Sequence, residues 1–209
     1  MLSYIQSNRW GISSGIRGYE YSVPAERKMD MSASTNPAAA AKPRPVRWLT
    51  VTAMLMAMNV ALSSFGVPVP GGHLYLNDIV ICAAAILLDP LGAFLVGGVG
   101  AFLGDFFFYP APMFVSLATH GLQAVVISLV VHRAPPQRRF RAAVLGVVLG
   151  AFIMVVGYTL GRAFIYSTVE YAVLKLPFQI LQAAVGAVLG TLLCFQGGLL
   201  RIWDRFSRQ

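Results

Sequence analysis

The sequence predicts an all-α integral membrane protein with six transmembrane helices and both termini cytoplasmic. Three observations predict it. The chain of 209 residues is 57% hydrophobic and only 11% charged, about half the charged share of a soluble domain. From Trp48 to Trp203 the apolar sequence is broken only by short Pro, Gly or charge clusters. Lys and Arg concentrate in the N-terminal tail, in Arg133–Arg141 and in the C-terminal tail, which is a topology signal.

The elements follow in order. Residues 1–45 include "MSASTNPAAAAKPRP", an Ala/Pro/Ser-rich run expected to be a disordered tail. Met29 and Met31 are alternative starts, and no signal-peptide apolar core precedes residue 48. A helix needs about 20 apolar residues to cross a bilayer. Such spans are read at 48–66, 77–89, 91–109, 112–132, 142–165 and 174–200. Together, residues 46–203 form one membrane domain, and 204–209 a cytoplasmic tail. The second span is short and closes at Asp89-Pro90. Before it comes "VPVPGGHLYLNDIV", residues 67–80. Its prolines stiffen the chain, and Gly71-Gly72 permit a sharp turn. Four pairs of glycines four apart (Gly100/Gly104, Gly146/Gly150, Gly157/Gly161, Gly186/Gly190) predict close helix packing. On the first span, Ala53, Ala57 and Ala61 form a smooth stripe on one face.

With the N-terminus inside, the loops 67–76, 110–112 and 166–173 lie outside and carry almost no basic residue. Glu170 and Lys175 are assigned to the last outer loop or its edge. The polar residues of the spans then share one depth. Asn77 and Asp78 open the second span, and Asp105 lies one turn below the outer end of the third. His120 and Gln123 sit in the outer to middle part of the fourth. Tyr158, Arg162 and Tyr166 climb the outer half of the fifth, and Gln179 and Gln182 the outer part of the sixth. The inner halves are nearly pure Ala, Val, Leu and Gly. Structural polarity would scatter over both halves; a pocket open to the outside would not. His73 and Tyr75, in the first outer loop, overhang that pocket. Each residue also has a plainer reading. Asp78 can cap its helix, Arg162 can pair with Asp105 or Glu170, and His120 can be a buried hydrogen-bonded histidine. Tyr75, Tyr109 and Tyr166 can belong to an interfacial belt, and the two glutamines can bridge helices.

Other functions find little support. The basic residues lack the aromatic interleaving of nucleic-acid binders. There is no P-loop and no CxxC or HExxH motif, so neither ATP hydrolysis nor a bound metal or cofactor is expected. His73, Asp78, Asp105 and His120 have no local two-ligand spacing. Ser116 and Ser128 sit in plain helical runs, unlike a nucleophilic serine in a strained turn. Cys82 and Cys194 both fall within apolar runs and read as buried small hydrophobes.

The stretch "GGHLYLNDIVICAAAILLDPLGAFLVGGVGAFLGDFFFYP" resembles the substrate-binding S components of energy-coupling factor (ECF) vitamin transporters. The elements that carry the likeness are Gly71-Gly72, Leu76-Asn77-Asp78, Asp89-Pro90, Gly97-Gly98-Val99-Gly100 and Gly104-Asp105. "LPFQILQAAVGAVLG", residues 176–190, is similar to the last span of that family, and the likeness extends over about 48–200. Relatives often have Asn at the position of Gln179, and Gly at those of Asn77 and Asp89. The resemblance implies a non-enzymatic six-helix protein that binds a vitamin or precursor from outside. It implies delivery through a transmembrane T component powered by two cytoplasmic ATPases, in a prokaryotic plasma membrane. It also implies that Ala53, Ala57 and Ala61 face the T component. Candidate ligands are a thiamine-precursor pyrimidine, pyridoxine, riboflavin, a queuosine precursor or a corrinoid. A stand-alone permease for a small polar heterocycle is the alternative.

Overall fold

The computed structural model describes residues 46–208, with side chains to Arg205, all within one compact unit, Pro43–Gln209. The expected tail at 1–45, with its alternative starts and its basic residues, lies outside the described residues. The elements are α1 (Val46–Ser63), β1 (Val67–Val69), β2 (Gly72–Leu74), α2 (Asn77–Leu87), α3 (Pro90–Phe108), α4 (Met113–Arg133), α5 (Pro136–Tyr166), α6 (Val169–Phe195) and α7 (Leu199–Arg208). Five of these, α1 and α3 to α6, are long and apolar enough to cross a membrane. Their outward faces expose large apolar side chains such as Met54, Phe107, Phe152 and Leu181. That surface suits lipid and not water, and the chain is a multi-pass membrane protein.

α2 is the exception. Its 11 residues span about 16 Å at 1.5 Å per residue, half the bilayer core. Every residue except Ile79 is buried, because α1, α4 and α6 pack around it. Small side chains make this possible: Ala83, Ala84 and Ala85 are 3% exposed or less. Gly186 and Gly190 of α6 lie against Asp78 and Cys82 of α2 so closely that neither could carry a Cβ without displacing them. Gly150, Gly157 and Gly161 of α5 seat Ile127, Thr119 and Val115 of α4 in the same way, and Gly100 and Gly104 seat Asn59 and Ser63 of α1. All four glycine pairs therefore serve packing within the chain.

The boundaries depart from hydropathy in three places. Residues 67–74 form an antiparallel hairpin, with Val67 opposite Leu74 and Val69 opposite Gly72, so the connection is not purely α. Pro70-Gly71 makes its turn, and Gly71 has φ +80°, the left-handed conformation that glycine adopts at least cost. α6 begins at Val169 and not at 174, because Thr168 caps it, accepting from the Tyr171 N–H at 3.5 Å. Glu170 and Lys175 thus lie on a helix and not in a loop. α6 also ends at Phe195, short of 200. Gly198, at φ +74°, breaks the chain, and α7 follows as a separate helix instead of a tail. Arg139 pairs with Asp204 of α7 at 3.6 Å.

α3 contains a wide π-turn over Leu95–Val99. The buried Asn59 side chain of α1 donates to the Val96 carbonyl there at 2.6 Å. At the far end of α1, Trp48 Nε1 donates to Asp89 Oδ1 at 2.6 Å. The two bonds tie α1 to α3 and to the turn that precedes it.

Candidate functional site

Helices that alternate in direction bring the start of α2 and the ends of α1, α3, α5 and their neighbours together under the hairpin. A cavity of about 40 Å³ lies there. Its walls include His73 and Tyr75 from the hairpin and its exit, and Asn77 from α2. Asp105 of α3, His120 of α4, and Tyr158, Arg162 and Tyr166 of α5 continue it, and Gln179 and Gln182 of α6 close it. Ten of the twelve candidate residues thus border one space.

Asp78 and Gln123 do not line it; they stand behind the wall. Asp78 is 1% exposed. It makes no side-chain cap, and helix α2 starts without one, which disposes of the capping alternative. Its carboxylate accepts instead from Gln182 Nε2 at 2.7 Å and Gln123 Nε2 at 3.3 Å. Gln123 Oε1 lies 2.7 Å from His120 Nδ1, and Gln182 Oε1 accepts from the Tyr75 backbone N–H at 3.1 Å. One carboxylate therefore organises α2, α4, α6 and the exit of the hairpin. The glutamines bridge helices and border or back the cavity at once.

On the other wall, the Tyr158 hydroxyl donates to Ser116 Oγ at 2.6 Å, and Ser116 donates to Asp105. The Tyr158 ring meets His120 edge-on at 5.1 Å. Asp105 is satisfied by a serine and not by Arg162. Arg162 makes no ion pair among the described residues; its Nη1 donates to the Gly71 carbonyl at 2.7 Å, and its guanidinium lies 5.3 Å from the Tyr166 ring centre. Lys175, 2% exposed, donates to the His73 carbonyl. Two cations thus hold the hairpin by its backbone. The imidazole of His73 lies 6.2 Å from the rings of both Tyr75 and Tyr109. Tyr75, Tyr109 and Tyr166 all border the cavity and are not confined to a lipid-facing belt. Burial, reinforced by the nearby Asp105 carboxylate, pushes the Tyr75 phenol up to about 12, so it remains a proton donor at any physiological pH.

Sequence reasoning missed four contributors. Lys175 was assigned to a loop edge, since its helix starts before the apolar run. Ser63, Tyr109 and Ser116 stood out too little: a hydroxyl in an apolar span usually bonds its own helix. The Asn77 Oδ1 and the Tyr166 hydroxyl are buried without a hydrogen-bond partner, and both residues border the cavity. Unpaired polar atoms of this kind are costly in the absence of a ligand or water. At the far side, Ala53, Ala57 and Ala61 are all exposed on one face of α1.

Residues 45–197 match the family model described as ECF-type riboflavin transporter, S component. A protein of Pyrococcus woesei, described as an uncharacterized protein in the gap 3′ region, is 31% identical over 144 residues, covering 68% of this chain and 88% of the relative.

Proposed function

The chain belongs to the family of ECF-type riboflavin transporter S components, a transporter subunit and not an enzyme, and from that premise we propose that it binds riboflavin in the cavity beneath the hairpin. The observation that carries this reading is the wall itself. Four tyrosines and two imidazoles surround one space together with unpaired hydrogen-bonding atoms, which suits a polar aromatic heterocycle.

As folded, the cavity of about 40 Å³ is far below the several hundred Å³ that a drug-sized ligand fills. Entry therefore requires the hairpin to swing away. The hairpin is joined to the bundle by few groups: Arg162 to Gly71, Lys175 to His73, and Gln182 to Tyr75. Releasing these opens the cavity without disturbing the helix core. The hairpin acts as a lid, with Arg162 and Lys175 as its latches.

In the prokaryotic plasma membrane, six crossings place both termini in the cytoplasm and the hairpin outside. α2 provides the short second crossing, with its ends shielded by the surrounding helices as the bilayer demands. The concentration of Arg133, Arg138, Arg139, Arg141, Arg201 and Arg205 at the opposite end supports this orientation. The chain has no P-loop, so energy comes from partners: a T component and two ATPases. Ala53, Ala57 and Ala61 form the face that docks on the T component.

Co-expression with the T component and ATPases of the same organism tests the assembly. The complex co-purifies with the wild-type chain, and Ala57→Trp reduces recovery at least about fivefold while riboflavin binding stays intact. Equal loss of both contradicts the docking assignment, and absence of any complex contradicts the S-component role.

A further inference from the structure

The hydrogen bonds behind the cavity wall have a direction, and that direction sets what His120 offers a ligand. The series starts from a group with no choice. The Tyr75 backbone N–H can only donate, so the Gln182 atom 3.1 Å away is the amide oxygen. The Gln182 NH₂ then faces Asp78 Oδ2 at 2.7 Å and donates to it. The other carboxylate oxygen of Asp78, Oδ1, accepts in turn from the Gln123 NH₂ at 3.3 Å. The same NH₂ faces the Cys82 sulfur, a weak acceptor, at 3.9 Å. The Gln123 oxygen is thereby turned to His120 Nδ1 at 2.7 Å, and that nitrogen must carry a proton.

The other ring nitrogen completes the argument. His120 borders the cavity, and among the described residues nothing accepts from its Nε2. The Asp78 carboxylate oxygen Oδ1 also lies 3.7 Å from Nδ1, which favours the proton on that nitrogen. The neutral ring, protonated at Nδ1, leaves Nε2 as an acceptor.

We infer that Asp78, acting through Gln123, is a positioning residue that fixes His120 in the Nδ1–H tautomer, so that the cavity presents the Nε2 lone pair to an N–H donor on the ligand. The ligand chemistry this selects is a heterocycle with an amide-like or imide-like ring N–H. The choice of ligand rests on the riboflavin reading: the dione ring of riboflavin carries one such group, N3–H. The tautomer itself does not depend on that reading.

The polarity can be reversed with one isosteric change. In Asp78→Asn, the side-chain oxygen must face the Gln182 NH₂, which places the new NH₂ against Gln123. Gln123 turns over and donates to His120 Nδ1, and the proton moves to Nε2. The experiment is ¹⁵N NMR of histidine-labelled protein in lipid nanodiscs at pH 8, without ligand. The His120 signals are assigned by their loss in His120→Asn. The expected result is a protonated Nδ1 and a bare Nε2 in the wild type, exchanged in Asp78→Asn. Gln123→Met, similar in shape but without the acceptor, also loses the fixed Nδ1–H form and serves if Asp78→Asn does not fold. A protonated Nε2 in the wild type overturns the inference, as does a tautomer unmoved by either variant. In a second arm, N3-methylriboflavin binds the wild type at least about tenfold more weakly than riboflavin, and the gap narrows to under about threefold in Asp78→Asn. Equal binding of both flavins by the wild type overturns the assignment of N3–H. If riboflavin does not bind at all, the vitamin reading fails and the NMR result alone decides the tautomer.

Discussion

The two ends of the bundle treat buried polar groups differently. Beneath the hairpin they bond to one another across helices: Asp78 with Gln123 and Gln182, Tyr158 with Ser116, Ser116 with Asp105. Toward the other end the side-chain pairs, Trp48 with Asp89 and Arg139 with Asp204, are only partly buried, and the buried hydroxyl of Ser128 bonds to backbone. Ser128 of α4 donates to the Leu88 carbonyl at 2.7 Å, and the exposed His132 lies 2.9 Å from the Ser128 carbonyl. A side chain committed to a backbone carbonyl closes a gap in the local ladder and has little left to offer a ligand. A network of side chains keeps several oriented donors and acceptors facing one space, but it needs every member in place. On the proposed reading, the hairpin end serves recognition and the opposite end cohesion.

Variants that respect this division test it, and the largest effect is expected where the two ends share one support. Gly186→Val places a branched side chain in the backbone of α2 at Asp78. Overpacking of this kind costs about 3 kcal/mol, so a marked drop in melting temperature, with binding lost alongside, is expected from thermal unfolding. Normal stability would show that α2 has more room than its contacts with α6 indicate. Arg162→Ala removes a charged donor to the hairpin, worth about 1.5–3 kcal/mol. Riboflavin affinity then falls about 10- to 100-fold in a fluorescence titration, while folded yield is kept. A wild-type affinity would take Arg162 out of the latch.

Smaller effects should fall on one side of the division or the other. Tyr158→Phe deletes the hydroxyl that orients Ser116 and Asp105 and is expected to weaken riboflavin about 3- to 10-fold, for a neutral bond worth about 1 kcal/mol. Ser128→Ala leaves the Leu88 carbonyl unpaired and lowers stability by about 1 kcal/mol with affinity unchanged. If Ser128→Ala altered affinity as much as Tyr158→Phe does, the contrast between the ends would dissolve.

Much of the site was legible because bilayer physics punishes polar groups: an Asp, an Arg or a Gln in an apolar run declares itself. Depth along each span then grouped residues from several helices with no knowledge of their contacts. Partners were not legible. Gln182 reaches Asp78 across 104 positions, and nothing in periodicity distinguishes that pairing from a helix cap at Asp78 or an ion pair at Arg162. Lys175 escaped for a local reason: hydropathy starts α6 at its apolar run, whereas Thr168 starts it one and a half turns earlier. The hairpin escaped because strands of three residues carry almost no alternating pattern, although Pro70-Gly71 announced its turn. Asn59, buried in the second half of α1, breaks the same rule that exposed Asp78; it holds the π-turn of α3 and does not border the cavity.

The most direct test is a riboflavin fluorescence titration of the purified wild-type chain, alone in lipid nanodiscs, beside Arg162→Ala and Ser128→Ala. The expected result is saturable quenching at one riboflavin per chain, weakened at least about tenfold by Arg162→Ala and unaltered by Ser128→Ala. No saturable quenching by the wild type, or equal weakening by both variants, would contradict a vitamin site beneath the hairpin.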